Sequence, residues 1–194
     1  MTKEQYIKTG DDESYTYPNL VEVILPFLDR FCYDSNLKRS ELTIWCPFDL
    51  EEDMVIDGRK YFKSNYVKIF RSYGYKVIAS HILTGHDFFE YEPKEVYDVI
   101  ISNPPFKDKR KFFERALWLN KTFALVAPIT WLNDGTPNKL FNFSKFSLII
   151  PNRRAKFFNE RGLIGKSPSF KSAYFCNDFT RRQLNFVSME KEDK

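Results

Sequence analysis

A chain of 194 residues that is 43% hydrophobic, with 20 Phe and 11 Tyr, carries enough apolar material for one domain with a substantial core. No apolar run is long enough to cross a bilayer, and the opening MTKEQYIKTGDDESYTY has neither an apolar leader nor a small-residue cleavage site, so the sequence reads as cytoplasmic and free of membrane contact. The net charge is only +4, yet Lys107 to Asn185 holds 16 Lys and Arg against 5 Asp and Glu, leaving the remainder net acidic. A cationic half suits a polyanionic partner such as nucleic acid, and charge alone fits a merely solvated surface equally well. Cys32, Cys46 and Cys176 lie far apart without a CxxC, which argues against a disulfide framework or zinc knuckle and for reduced, partly buried thiols.

Residues 1–14 are polar and charged, an N-terminal segment expected to fray. In PNLVEVILPFLDRF, Val21, Ile24, Leu25, Leu28 and Phe31 recur at helical spacing, Pro18 suits the first turn, and Pro26 predicts an interruption. LTIWC (Leu42 to Cys46) reads as a short buried strand ended by Pro47. SNYVKIFRSYG offers Ser64 as an N-cap, apolar Val67, Ile69 and Phe70, and Gly74 just past the end, followed by a strand at Lys76 to Ile82. A short element is expected at HDFFEY. Then VYDVIIS, a continuous β-branched run, predicts a strand buried on both faces.

KDKRKFFERALWLN alternates cations with Phe112, Phe113, Ala116, Leu117 and Leu119, an amphipathic helix. FALVAPI (Phe123 to Ile129) predicts the next buried strand, and FSLIIP (Phe146 to Pro151) an extended segment. SAYFCND and RQLNFVSM resemble an antiparallel pair. The expected architecture is a single α/β domain over residues 15–189, its sheet mostly parallel and closed by a C-terminal antiparallel hairpin. A basic substrate-facing insertion is expected around residues 133–171, and residues 190–194 form a tail.

ISNPPF (Ile101 to Phe106) follows the VYDVIIS strand. Asn-Pro-Pro can simply end a strand, because proline donates nothing to a ladder and asparagine favours turns. It can also do chemistry. At the carboxyl end of a parallel strand, a rigid Asn-Pro-Pro turn holds the Asn103 side-chain oxygen and the Pro104 carbonyl in fixed directions. Both accept hydrogen bonds, so together they would bind the two N–H groups of an exocyclic amine and point its lone pair at an electrophile. Phe106 would offer a face to the heterocycle. No neighbouring general base is needed.

ISNPPF resembles the [DNS]PP[YFW] motif of class I S-adenosylmethionine-dependent amino-methyltransferases, most familiarly the DNA N6-adenine methyltransferases, and looks most like their small phage-type members. Other parts of the family pattern follow in order over Tyr15 to Leu132. SYTYPNL, with Tyr15, Tyr17 and Pro18, resembles the motif at the methionine end of the cofactor. TIWCPFD sits where the first strand and its cofactor loop belong, which assigns Pro47, Phe48 and Asp49 to that loop. YKVIASHI resembles the second strand and places Ser80 and His81 near the ribose, and GHDFFEY places Asp87 and Phe88 at the cofactor adenine. The resemblance implies a Rossmann-like fold and S-adenosylmethionine as cofactor. By it, Asn103, Pro104, Pro105 and Phe106 are the catalytic turn. The chain departs from the pattern in two places: CPFDLEED replaces the usual FxGxG, and no acidic residue ends the second strand.

PNRRAKFFNERGLIGKSPSFKSAYF interleaves Arg153, Arg154, Lys156, Arg161, Lys166 and Lys171 with Phe157, Phe158 and Phe170. With Lys107 these form a candidate surface for double-stranded DNA, cations on phosphates and aromatics beside an extruded base, as enzymes acting on a base require. The phenylalanines fit a core role as well. His81 and His86 are five apart and make no metal pair, so no metal is expected. The acceptor could instead be RNA or a protein glutamine amide. A further alternative, favoured by the missing glycines, is a catalytically inactive methyltransferase-like module that binds nucleic acid or a protein partner. Were the chain phage-encoded, it would act in the host cytoplasm.

Overall fold

The computed structural model describes residues 15–158 and 170–190. The chain begins with a two-residue strand β1 (Tyr15–Thr16), then helices α1 (Pro18–Glu22) and α2 (Leu25–Asp34). They are one amphipathic stretch broken at Val23 and Ile24, where Pro26 removes an N–H and its ring crowds the preceding turn. Strand β2 (Thr43–Cys46) follows, then a small hairpin of β3 (Met54–Ile56) and β4 (Arg59–Tyr61). Its two-residue turn is Asp57-Gly58, both at positive φ, the backbone such a turn requires.

Helix α3 (Asn65–Ser72) starts at Ser64, whose hydroxyl accepts from the Tyr66 N–H, and stops before Gly74 at φ +87°. Strand β5 (Lys76–Ala79) comes next, then a 3-10 turn over Ile82–Thr84. HDFFEY forms no strand. The Asp87 carbonyl accepts from the Glu90 and Tyr91 N–H groups at 3.0 and 2.7 Å, making a turn of it. After it come β6 (Val99–Ser102), α4 (Lys109–Trp118), β7 (Thr122–Pro128) and a 3-10 turn over Ile129–Asn133. The chain continues with α5 (Gly135–Leu140), β8 (Phe146–Pro151), β9 (Phe157–Phe158), β10 (Ser172–Asn177) and β11 (Leu184–Val187).

Seven strands form one sheet in the order β11-β8-β10-β7-β6-β2-β5. All run the same way except β10, which is antiparallel to both β7 and β8. The order is that of an open, Rossmann-like α/β sheet, reversing direction between β2 and β6. The C-terminal hairpin expected from the sequence does not form. Strand β10 lodges between β7 and β8, and β11 lies parallel to β8 on the outer edge. Burial explains this: β10 is apolar enough to be covered on both faces, whereas β11 leaves Leu184 and Phe186 exposed. The described part of the expected insertion, residues 133–158, does more than insert, because it supplies α5 and the sheet strand β8.

Alternate residues of the central strands feed two cores, the period-2 pattern of a sheet covered on both sides. Ile44, Cys46, Val99, Ile101, Ala124, Val126, Tyr174 and Cys176 pack with α1, α2 and α3. Trp45, Ile100, Phe123, Leu125, Ala127, Ala173 and Phe175 pack on the other side with α4 and an aromatic cluster of Phe113, Trp131, Phe141 and Phe146. Cys32, Cys46 and Cys176 are buried thiols. Among the described residues no helix is long and apolar enough to cross a membrane, and no group of three His, Cys, Asp or Glu could hold a metal.

Candidate functional site

From β2 the chain crosses through α3 to β5 on one side, and the next sheet strand, β6, pairs on the other. The carboxyl ends of β2 and β6 therefore flank the point where the strand order reverses, the position at which open α/β sheets leave a ligand crevice. Both sequence motifs of interest end there: Pro47, Phe48 and Asp49 after β2, and Asn103, Pro104, Pro105 and Phe106 after β6.

Asn103 is half-buried, Pro104 buried, and Pro105 and Phe106 half-buried. The Asn103 Oδ1 is shielded from solvent and has no hydrogen-bond partner among the described residues. The Ser172 hydroxyl shares that state but sits within β10. An acceptor closed off from water without a donor costs about 1–3 kcal/mol, which an incoming N–H would return. Phe106 meets Phe170 edge to face, ring centroids 5.2 Å apart.

Asp49 is buried. Its Oδ1 accepts from the Ser64 hydroxyl and its Oδ2 from the Ser102 hydroxyl. Loss of water pushes its carboxyl up to about 6, against the pull of those two hydrogen bonds. Pro47 is buried, and Phe48 is half-buried, with its ring 4.9 Å from Phe88 and 5.0 Å from Phe112. Beyond β5, the Ser80 hydroxyl accepts from Trp45 Nε1 at 2.9 Å, and His81 Nδ1 accepts from the Leu83 N–H at 3.1 Å. Burial lowers the His81 imidazole to about 4, so it is neutral. Asp87 is half-buried, its Oδ1 accepting from the Phe89 N–H at 3.0 Å. Phe88 is 3% exposed and packs into the core against Trp45 and Phe48, so Phe48 is the more accessible ring of that group.

The N-terminal motif reaches the same side of the sheet by pairing β1 with β9. Tyr17 stacks on Phe158 at 4.8 Å, Tyr15 meets Phe62 edge to face at 5.3 Å, and Pro18 opens α1 half-buried. Asn65 Nδ2 donates to the Thr16 carbonyl at 2.8 Å and ties this segment to the start of α3.

The basic candidates converge on this edge as well. Lys107 follows the NPPF turn, Arg153 and Arg154 follow the carboxyl end of β8, and Lys171 precedes β10 where it pairs with the end of β7. All four are exposed, and Lys156 is half-buried. Arg161 and Lys166 lie outside the described residues. Ser64 and Ser102 were not singled out in the sequence as site residues. Ser64 was visible only as a helix cap, and nothing local links either serine to Asp49.

The fold and its crevice thus define an α/β protein with a Rossmann-like sheet and a ligand crevice where its strand order reverses. No family model matches the chain, and no curated protein matches its sequence. Among solved structures, it is similar to a protein from Listeria monocytogenes assigned to the class I S-adenosylmethionine-dependent methyltransferases, with 11% identity and a TM-score of 0.49 over 90% of this chain. The match spans 65% of that protein, and a likeness so distant carries no functional argument.

Proposed function

We propose that the protein transfers a methyl group from S-adenosylmethionine to the N6 amine of adenine in DNA. The observation that supports this best is the orphaned Asn103 Oδ1 in the turn after β6, at the point where the strand order reverses. An adenine N6 amine carries two N–H donors. One would go to Asn103 Oδ1 and the other to the Pro104 carbonyl, leaving the nitrogen lone pair directed out of the ring plane. Phe106 would pack on the extruded base, which such an enzyme must take out of the stack. Lys107, Arg153, Arg154 and Lys171 would hold phosphates along the same edge.

The residues around the β2 end suit a cofactor that combines a cation, ribose hydroxyls and an adenine. They supply the carboxylate of Asp87, the hydroxyl of Ser80 and the imidazole of His81, while the Asp49 carboxylate is already taken by the Ser64 and Ser102 hydroxyls. Apolar and aromatic surface comes from Tyr15, Tyr17, Pro18, Pro47, Phe48 and Phe88. When bound there, S-adenosylmethionine supplies an electrophilic methyl group. The chain's own work is to desolvate the amine, orient it and exclude water, which is catalysis by positioning.

Titration calorimetry with S-adenosylmethionine, repeated with Asp87→Ala, tests the cofactor site. Binding in the micromolar range, about −8 kcal/mol, that weakens in the variant is expected. With labelled cofactor and duplex DNA containing adenine, label should appear as N6-methyladenine. Asn103→Ala should abolish transfer while the cofactor still binds. Binding of duplex without any cofactor, unchanged by Asn103→Ala and unaccompanied by transfer, would replace this reading with that of a binding module.

A further inference from the structure

Asp49 ties together elements that are distant in sequence. Its own N–H donates to the Ser80 carbonyl at 3.1 Å, at the end of β5, and the next residue, Leu50, offers its carbonyl to the Ser64 N–H at 3.1 Å. With the backbone fixed on both flanks, the carboxylate reaches two serines. Ser64 caps α3, and Ser102 is the last residue of β6, fully buried and directly before Asn103. The loop after β2 is therefore bonded to the residue that carries the substrate turn. Both carboxylate oxygens face hydroxyl donors inside the protein.

We propose that Asp49 is a positioning residue: through the Ser102 hydroxyl it holds Asn103 in the orientation that presents Oδ1 to the acceptor amine. Asp49 is then no direct ligand of the cofactor. The catalytic consequence rests on the adenine-amine reading, whereas the mechanical link does not. The titratable side chains that feel the charge of Asp49 are Cys46 on β2, Tyr66 on α3 and Tyr174 on β10. Burial raises all three above their ordinary ranges and keeps them neutral, so a change in this pocket near pH 6 reports Asp49.

The test follows the Asn103 side-chain amide resonances from pH 5 to 8 in the full chain, for wild type, Ser102→Ala, Ser102→Thr and Asp49→Asn. In wild type they should shift with a midpoint near 6. The shift should vanish in Ser102→Ala and in Asp49→Asn and return in Ser102→Thr, which restores the hydroxyl. Two variants that break the link guard against one failing to fold. Amide resonances that ignore pH in wild type, or that move identically in Ser102→Ala, overturn the proposal. In parallel, Ser102→Ala should slow methyl transfer about ten- to hundredfold with cofactor affinity unchanged. Cofactor affinity falling tenfold or more in Asp49→Asn would instead make Asp49 a ligand and overturn the proposal. A wild type that methylates no adenine refutes the proposed function while leaving the resonance result to decide the link.

Discussion

Asp49 and His81 pull the stability of the protein in opposite directions as pH changes. Asp49 has its carboxyl raised from 3.8 to about 6, so its burial costs nothing below about pH 4, costs progressively more through that window, and costs about 3 kcal/mol above it. His81 has its imidazole lowered from 6.5 to about 4; burying it costs nothing above about pH 6.5 and about 3 kcal/mol below about pH 4. Between those limits the two slopes nearly cancel. Asp49→Asn removes one of them, so urea unfolding at pH 4, 5, 6 and 7 should show the variant gaining stability over wild type at pH 7 and converging with it at pH 4. A constant offset at all four values would mean that Asp49 titrates as it does in the unfolded chain. Asn103 offers a second residue-scale prediction. Because its Oδ1 is shielded and unpartnered, Asn103→Ala should leave thermal stability unchanged or raise it by up to about 1 kcal/mol, although an alanine in a half-buried turn usually costs something.

At the scale of elements, α3 shows most directly how sequence became structure. Ser64 and Gly74 were legible as its limits, and both act as such. Replacing Gly74 by Ala meets no steric neighbour and should cost about 1 kcal/mol through its left-handed backbone alone. Ser64→Ala should cost about 2 kcal/mol, because it removes both a cap and a donor to a buried carboxylate. Equal losses in urea titrations would mean that the Asp49 bond adds nothing to the cap. Helices α1, α2 and α4 and the central strands were legible too, since periodicity and the break at Pro26 are local signals, whereas α5, six residues long with glycine and proline in its first turn, was not. The β3 and β4 hairpin was also written locally, in Asp57-Gly58 between apolar residues, and went unread. The place of β10 was not local: which strand neighbours it is decided by how much apolar surface each strand must cover, not by order in the chain. The candidate site divides the same way. Asn103 announced itself through its immediate neighbours, whereas the bond from Asp49 to Ser102 spans 53 residues and leaves no trace in either segment alone.

For the whole molecule, the cationic part of the sequence divides: Lys107, Arg153, Arg154 and Lys171 are exposed along the carboxyl edge of the sheet, whereas Lys121 and Lys145 precede the amino ends of β7 and β8. If Lys107, Arg153, Arg154 and Lys171 each neutralise one phosphate, the logarithm of duplex affinity should fall with the logarithm of salt concentration with a slope of about −4. Fluorescence anisotropy on the Arg153→Ala, Arg154→Ala double variant should show that slope shallower by about 2, and an unaltered slope would remove β8's end from the interface. The lodging of β10 between β7 and β8 has another consequence, one for a chain emerging from a ribosome. Within the sheet β8 is made before β10 but touches β7 only through it. Until residues 172–177 have left the exit tunnel, β8 has no docking partner on the growing sheet, and β11 has none without β8. Half-finished chains therefore carry an apolar strand in waiting, a substrate for holding chaperones, and a stop codon after Lys171 would undock three strands by deleting two.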